Sequence, residues 1–321
     1  MAPTLLAPYS IKRGVLVSAM YCKHFGLTEK PFSLIPDPDY LYFSPRHRSA
    51  FTMLEYGLME QNGITVITGE VGSGKTTLTR LLLKRINYAE LTVGLINNAH
   101  GSFDDLLEWV GTAFDIPTEG LSRVALYREI QNFLIEEFSK GKRVVLIVDE
   151  AQNVEEKALE ELRLLTNINA DKNQLVQIVL VGQPELLDVL CKPTLRQLAQ
   201  RVSSEHHLQA LNYKETVGYI RHRLTVAGVE RLLFEQAALM VIYYCSGGIP
   251  RLINTLCDYA LVLTYGADQQ KVSLEMAMAT IEGKRIGGVD RHRKPHPEMV
   301  KVRAAIKRGW GIDIAQLSNT E

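Results

Sequence analysis

The feature that most constrains the fold of this chain is the pattern G-x-x-x-x-G-K-[ST], which residues 69–76 match in full. Residues 64–68 before it are rich in β-branched side chains and predict a buried strand, and the residues after it predict an amphipathic helix. In such a strand–loop–helix, backbone N–H groups and the positive end of the helix converge on one anion. The pattern therefore predicts a phosphate-binding loop, because a chance glycine-rich turn would not carry both flanks.

The residue types in this loop predict which part of a bound nucleotide each one contacts. Lys75 is expected to reach the β- and γ-phosphates, and the hydroxyl of Thr76 is expected to bind Mg²⁺. The residues expected to surround the phosphates are Gly69, Glu70, Val71, Gly72, Ser73, Gly74, Lys75, Thr76 and Thr77.

Strand and helix patterns alternate from the loop onwards. The predicted strands are 64–68, 91–97, 143–148, 176–182 and 204–210. The helices predicted between them are 75–86, 103–114, 123–139, 155–168 and 185–201. Apolar runs such as 144–148 are typical of strands buried on both faces of a parallel sheet, which predicts an α/β fold with three layers. Beyond Leu211 only helical periodicity continues, so a small all-helical domain is expected to follow.

The two ends of the chain differ from its middle. Residues 1–19 are expected to be a disordered extension, with Met20 as an alternative start. Residues 284–308 hold nine lysines and arginines against two acids, which is compatible with nucleic acid, anionic lipid or a solvated tail. The predicted division is an extension over 1–19, a core with its N-terminal linker over 20–210, a helical domain over 211–286 and a basic tail over 287–321.

Composition narrows the classes of protein further. The formal net charge is zero and the pI is about 7.1, so the whole chain carries no polyanion-binding signature. Four cysteines lack C-x-x-C spacing, which favours structural thiols in a reducing compartment over a zinc site. No stretch approaches the roughly 20 apolar residues of a membrane span. The reducing compartment that the cysteines indicate predicts a cytoplasmic protein.

Two acids follow the apolar strand that ends at Val148. Because they come at the carboxyl end of a parallel strand, Asp149 and Glu150 are expected to lie beside the phosphate loop. Asp149 would hold Mg²⁺, directly or through water, and Glu150 would polarise the attacking water. The alternative is an acidic start to the next helix, where carboxylates interact favourably with the helix dipole.

Three further polar residues are candidates for contact with the nucleotide. Gln183 ends another apolar strand and would bond the γ-phosphate or the attacking water, unless it is an ordinary strand-end amide. Arg201 and Arg251 carry guanidinium groups suited to phosphate oxygens, Arg201 as a finger from a neighbouring subunit and Arg251 from the helical domain. For both, and for nearby Arg196, a solvated surface arginine is the alternative.

Taken in order, these motifs resemble the AAA+ ATPases and, more narrowly, the ExeA / general secretion pathway protein A family with its pilus and exopolysaccharide-locus relatives. The matching stretches are YCKHFGLTEKPF at 21–32, PDP at 36–38, SP at 44–45, GEVGSGKTT at 69–77, LIVDEAQN at 146–153, LVGQPEL at 180–186, LRQLAQRV at 195–202 and SGGIPRLIN at 246–254. The resemblance implies an ATP-binding P-loop NTPase (AAA+) core followed by a helical lid, assembled into a homo-oligomer with a shared active site.

The resemblance also implies roles for single residues. Gln183 becomes the first sensor, Arg201 the finger and Arg251 the second sensor. The stretch from Phe32 to Tyr42 would contribute to an adenine pocket, with plain aromatic packing as the alternative.

Three functions remain open on the sequence. The first is a cytoplasmic ATPase, free or peripheral at the inner membrane, that uses ATP and Mg²⁺ to assemble secretion, pilus or exopolysaccharide export proteins. The second is a DNA-associated ATPase like the transposition regulators, with DNA bound by the basic tail. The third is a scaffold gated by nucleotide binding rather than by turnover.

Overall fold

The computed structural model describes residues 21–60, 63–97, 106–170, 173–284 and 297–314. By its internal contacts the chain divides into two compact units. One is Phe43–Gln209, and the other combines Met1–Tyr42 with Ala210–Glu321.

The unit Phe43–Gln209 is built on a five-stranded parallel sheet. Its strands are β1 (Ile64–Gly69), β2 (Leu91–Ile96), β3 (Arg143–Val148), β4 (Val176–Gly182) and β5 (Val202–Leu208). They lie in the order β2-β3-β4-β1-β5, so β1 is flanked by β4 and β5. Because all strands run the same way, the ends of β1, β3 and β4 that precede polar residues meet at one edge of the sheet.

Helices cover the sheet on both faces. They are α1 (Pro45–Glu60), α2 (Lys75–Arg85), α3 (Leu106–Ala113), α4 (Arg123–Ser139), α5 (Glu156–Leu165), α6 (Glu185–Leu190) and α7 (Arg196–Ala199). Val66 and Leu146 pack on one face into the core that α4 and α5 complete. On the other face the side chain of Gln177 donates to the carbonyl of Gly57 in α1, at 3.2 Å. The predicted α/β fold with three layers is thereby confirmed.

The predicted helix over 185–201 is interrupted in the structure. It forms as α6 and α7, separated by a 3₁₀ turn at Pro193–Leu195. Proline has no backbone N–H, so it is accommodated at the start of a turn and not within a helix. The last strand also begins at Val202 rather than at residue 204.

The second unit is helical, as predicted. Its helices are α8 (Tyr213–Val226), α9 (Gln236–Ser246), α10 (Pro250–Gly266), α11 (Leu274–Gly283) and α12 (Pro297–Trp310). The first of them starts with a capping box, in which the Asn212 side chain accepts from the N–H of Glu215 and the Glu215 carboxylate accepts from that of Asn212.

The N-terminal segment lies with the helical unit, whereas we expected residues 20–210 to form one core. Tyr21 is 1% exposed and its hydroxyl donates to Asp258 at 2.9 Å. Phe32 packs edge-to-face on Phe234, and Tyr40 lies under the Arg223 guanidinium. These rings are core residues, which fits the packing alternative to an adenine pocket.

Part of the predicted basic tail is also folded. On α12 the side chains of Met299, Val302 and Ile306 are buried in the core of the helical unit. Arg303 forms a two-bond pair with Asp313, at 2.7 and 2.9 Å. The segment 297–314 is therefore part of this unit rather than a solvated tail. The predicted extension over 1–19 and residues 285–296 of the basic segment lie outside the described residues.

Candidate functional site

The loop after β1 has the backbone of an anion-binding turn. Gly72 and Gly74 have φ of +79° and +107°, a region that residues with a side chain seldom adopt. Helix α2 begins directly after them at Lys75. The N–H groups of the loop and of the first turn of α2 are consequently grouped at a helix N-terminus, where the helix dipole favours negative charge.

A buried histidine supports the loop from α1. The Nε2 of His47 lies 3.2 Å from the carbonyl of Ser73, and its Nδ1 lies 2.9 Å from the hydroxyl of Ser44. A carbonyl only accepts, so Nε2 carries the proton and Nδ1 accepts from the serine. A Cβ at Gly74 would stand 3.0 Å from Nε2. Sequence reasoning missed His47, because nothing in the spacing of the first turn of α1 connects it to the loop.

Lys75 is buried and bonded to the loop itself. Its ammonium donates to the carbonyls of Gly69 and Glu70, at 2.7 and 3.1 Å. Burial lowers the pKa of this ammonium, and the nearby carboxylates of Glu150 and Asp149 oppose that effect. The Lys75 side chain therefore lies along the inside of the loop, where a bound phosphate would meet it.

The structure brings Thr76 and Asp149, the two residues predicted to bind Mg²⁺, into contact. The threonine hydroxyl donates to Oδ2 of Asp149 at 3.3 Å, and Oδ1 accepts from the N–H of Glu150 at 2.9 Å. Burial, foremost, raises the pKa of Asp149, and the N–H of Glu150 partly offsets it. A hydroxyl and a carboxylate are ligands that Mg²⁺ uses beside phosphate oxygens. Among the described residues, no group of three or more His, Cys, Asp and Glu side chains could hold a metal ion.

Glu150 is held by two glutamine amides. Its Oε2 accepts from the amide of Gln152 at 2.6 Å and from that of Gln183 at 3.2 Å. The Glu150 backbone is left-handed, with φ of +54°, which is uncommon for a residue other than glycine. The structure thus brings the predicted Glu150 and Gln183 into contact. Gln152 is a further residue that the sequence patterns did not single out.

Arg201 is not brought to this site within one chain. Its carbonyl accepts from the N–H of Ile64, at the amino end of β1, whereas the phosphate loop follows the carboxyl end at Gly69. A strand of that length separates the two ends by roughly 16 Å at about 3.3 Å per residue. The guanidinium instead donates to the side chains of Thr166 and Asn167, just after α5.

Arg251 belongs to the helical unit. It is the second residue of α10 and its side chain is exposed. Its role as a second sensor stays a prediction.

Comparison with known proteins agrees with this geometry. A family model described as an AAA domain matches residues 58–190. General secretion pathway protein A from Aeromonas hydrophila is 42% identical over 275 residues, which cover 84% of this chain and 50% of that protein. The chain therefore spans about half the length of this curated relative.

Solved structures similar to the chain share its fold at low identity. CDC6P from Pyrobaculum aerophilum is 16% identical with a TM-score of 0.62, and the matched region covers 89% of this chain and 86% of the CDC6P chain. ORC2 from Aeropyrum pernix, solved as ADPNP-ADP complexes, is 14% identical with a TM-score of 0.60 and covers 88% and 85%. At such identity these likenesses show the fold alone.

Proposed function

Because the chain belongs to the AAA+ ATPases of the general secretion pathway protein A family, we propose that it hydrolyses ATP to ADP and phosphate with Mg²⁺ as its cofactor. One observation carries the proposal. The phosphate loop with Lys75, the pair of Thr76 and Asp149, and the carboxylate of Glu150 meet at one edge of the parallel sheet. A phosphate cradle, a metal pair and a base are the parts that hydrolysis of a phosphoanhydride requires.

The loop and Lys75 bind and orient the phosphates. Loop N–H groups surround the β-phosphate, and the Lys75 ammonium leaves the loop carbonyls to pair with β- and γ-oxygens. Burial destabilises the charged form of that ammonium, and an anionic ligand nearby would stabilise it.

Thr76 and Asp149 are the residues that would hold Mg²⁺. Bound there, the ion would neutralise charge that develops on the phosphate oxygens during transfer. The Thr76 hydroxyl donates to the Asp149 carboxylate, so the Thr76 Oγ1 and the Asp149 Oδ2 lie on the same side of the loop.

Glu150 is the proposed general base. Its carboxylate accepts a proton from the attacking water, and Gln183 places that water or the γ-phosphate in line. The contact between Gln183 and Glu150 supports a shared position at the γ-phosphate end of the site.

Arg201 is proposed to act in a neighbouring subunit. Its side chain lies at the opposite edge of the sheet from the loop of its own chain. A guanidinium there can stabilise a transition state only in a second copy, so we propose a homo-oligomer with shared sites, to which Arg251 contributes from the helical unit.

In the cell, we propose that turnover drives assembly or remodelling of a secretion apparatus, with pilus and exopolysaccharide export as related settings. The likeness to general secretion pathway protein A supports this choice. No helix in the described part of the chain is long and apolar enough to cross a membrane. The proposed location is cytoplasmic or peripheral at the inner membrane.

A DNA-associated ATPase is the second candidate, favoured by the charge of residues 284–308. On the described part of this segment Lys301, Lys307 and Arg308 are exposed on α12. DNA binding that weakens steeply with salt and stimulates turnover would favour it. Absence of binding at low salt would count against it.

Steady-state turnover of variants tests the proposed reaction. Lys75→Ala should remove nucleotide binding, and Glu150→Gln should keep binding but lower kcat by at least about 100-fold, the usual range for a general base. Lys84→Ala on the same helix and Glu155→Gln near the same strand are matched controls with expected wild-type rates. Equal, nonzero rates in all variants would refute the assignment. Cellular function retained in Glu150→Gln but lost in Lys75→Ala would indicate a nucleotide-gated scaffold.

A further inference from the structure

Gln152 joins the ends of two strands through one amide group. It lies in the 3₁₀ turn Ala151–Asn153 that follows β3. Its Nε2 donates to Oε2 of Glu150 at 2.6 Å, and its Oε1 accepts from the backbone N–H of Gln183 at 2.9 Å. The reversed amide would place an oxygen against a carboxylate and an NH₂ group against an N–H, so the contacts determine its orientation.

The surroundings of Gln152 are built for this bridge. A Cβ at Gly182 would stand 3.0 Å from the Gln152 Oε1, so glycine leaves the space that the amide occupies. The Gln183 side chain donates to the same Glu150 oxygen at 3.2 Å. One carboxylate oxygen thereby receives two amide donors, one from the end of each strand.

We propose that Gln152 is a positioning residue for ATP hydrolysis, which sets the Glu150 carboxylate relative to Gln183 and so relative to the γ-phosphate. This inference rests on the proposed function. A glutamate side chain has three rotatable bonds, and a base must present one lone pair to one water. In metal sites, loss of a hydrogen bond that orients a ligand typically costs about 10- to 100-fold in affinity or activity, and we use the same scale for an oriented carboxylate.

The two halves of the bridge can be separated by substitution. Gln152→Met keeps the length of the side chain and removes both hydrogen bonds. Gln152→Glu keeps an acceptor for the N–H of Gln183, but it removes the donor and places a second carboxylate beside Glu150. If orientation of Glu150 is what matters, the glutamate variant is the more damaging one, although it keeps more of the local hydrogen bonding.

The test measures kcat and KM for ATP, the Kd of a fluorescent ADP analogue and Tm for each variant. We expect kcat to fall about 10- to 100-fold in Gln152→Met and further in Gln152→Glu, with KM and Kd within about twofold of wild type. Gln131→Glu, which adds the same charge on the exposed face of α4, is the control and should match wild type. A merely structural role would lower Tm and weaken binding together with kcat.

Two results would overturn the inference. If Glu150→Gln abolishes turnover and both Gln152 variants keep wild-type kcat, Glu150 is the base but Gln152 does not position it. The second result concerns the contact itself and can be read even if wild type shows no turnover, in which case the proposed function fails separately. It comes from the Tm values of Glu150→Gln, Gln152→Met and their combination, which show whether these side chains interact. Additive shifts would refute the contact, and a combined shift different from the sum would support it.

Discussion

The Thr76 hydroxyl donates to the Asp149 carboxylate across 3.3 Å, although the two residues are 73 positions apart in the chain. The bond links the first turn of α2, which follows β1, to the residue directly after β3. The carboxylate has little contact with water, since Asp149 is 6% exposed. In the protein without nucleotide, a buried carboxylate next to Glu150 destabilises the folded state.

Asp149→Asn should therefore raise the Tm of the nucleotide-free protein. Burial raises the pKa of Asp149, so the cost of its charge is present above that pKa and disappears as pH falls through it. The gain in Tm should be largest near neutral pH, at least about 2 °C, and should shrink in acid. Thermal melts from pH 4 to 8 measure it. Glu129→Gln on the exposed face of α4 is the control and should show no gain; a gain independent of pH would contradict the explanation.

Gly74→Ala should weaken nucleotide binding through two effects. A left-handed φ costs a residue with a side chain about 1–2 kcal/mol, and the new Cβ would approach His47 to 3.0 Å. Gly120→Ala is the matched control, because Gly120 has φ of +72° with open space around its Cβ position. Gly74→Ala should lose at least as much stability as Gly120→Ala, and only Gly74→Ala should raise the Kd of a nucleotide analogue, by about tenfold or more. Equal Kd values would show that the loop tolerates a side chain there.

The parts of the site that the sequence predicted are those encoded by neighbouring residues. Lys75 and Thr76 belong to one short motif, and Asp149 and Glu150 directly follow an apolar strand. Parallel strands then bring their carboxyl ends to one edge whatever lies between them. For this reason the sheet and the edge that holds the site could be predicted without knowledge of the packing.

The residues that were not predicted depend on tertiary contacts. His47 belongs to the site only because α1 packs against the loop, and Gln152 belongs to it only because β3 lies beside β4. The rings of the segment 21–42 could pack on either unit, and their sequence carries no sign of which one they join. The location of Arg201 at the amino end of β1 likewise follows from strand register, which periodicity does not report.

Helix α12 gives a test of packing where the sequence indicated a tail. Ile306 is fully buried, so Ile306→Ala should cost about 2–5 kcal/mol of unfolding free energy in this unit. Val300 on the same helix is 55% exposed, so Val300→Ala should stay within about 0.5 kcal/mol of wild type. Urea unfolding measures both. Equal small effects would mean that α12 does not pack on the core in solution.

The last prediction concerns Arg201 and the proposed oligomer. Arg201→Ala should lower turnover at every protein concentration while nucleotide Kd stays near wild type, and Arg128→Ala, at an exposed arginine of α4, is the control. Loss of the bonds to Thr166 and Asn167 should also lower stability, by about 1 kcal/mol, so turnover alone does not separate a catalytic role from a structural one. A mixture does. Arg201→Ala subunits keep an intact loop and Lys75→Ala subunits keep an intact arginine, so the mixture should turn over faster than the sum of the two impaired proteins. No recovery in a mixture that forms mixed oligomers would show that Arg201 does not act across subunits.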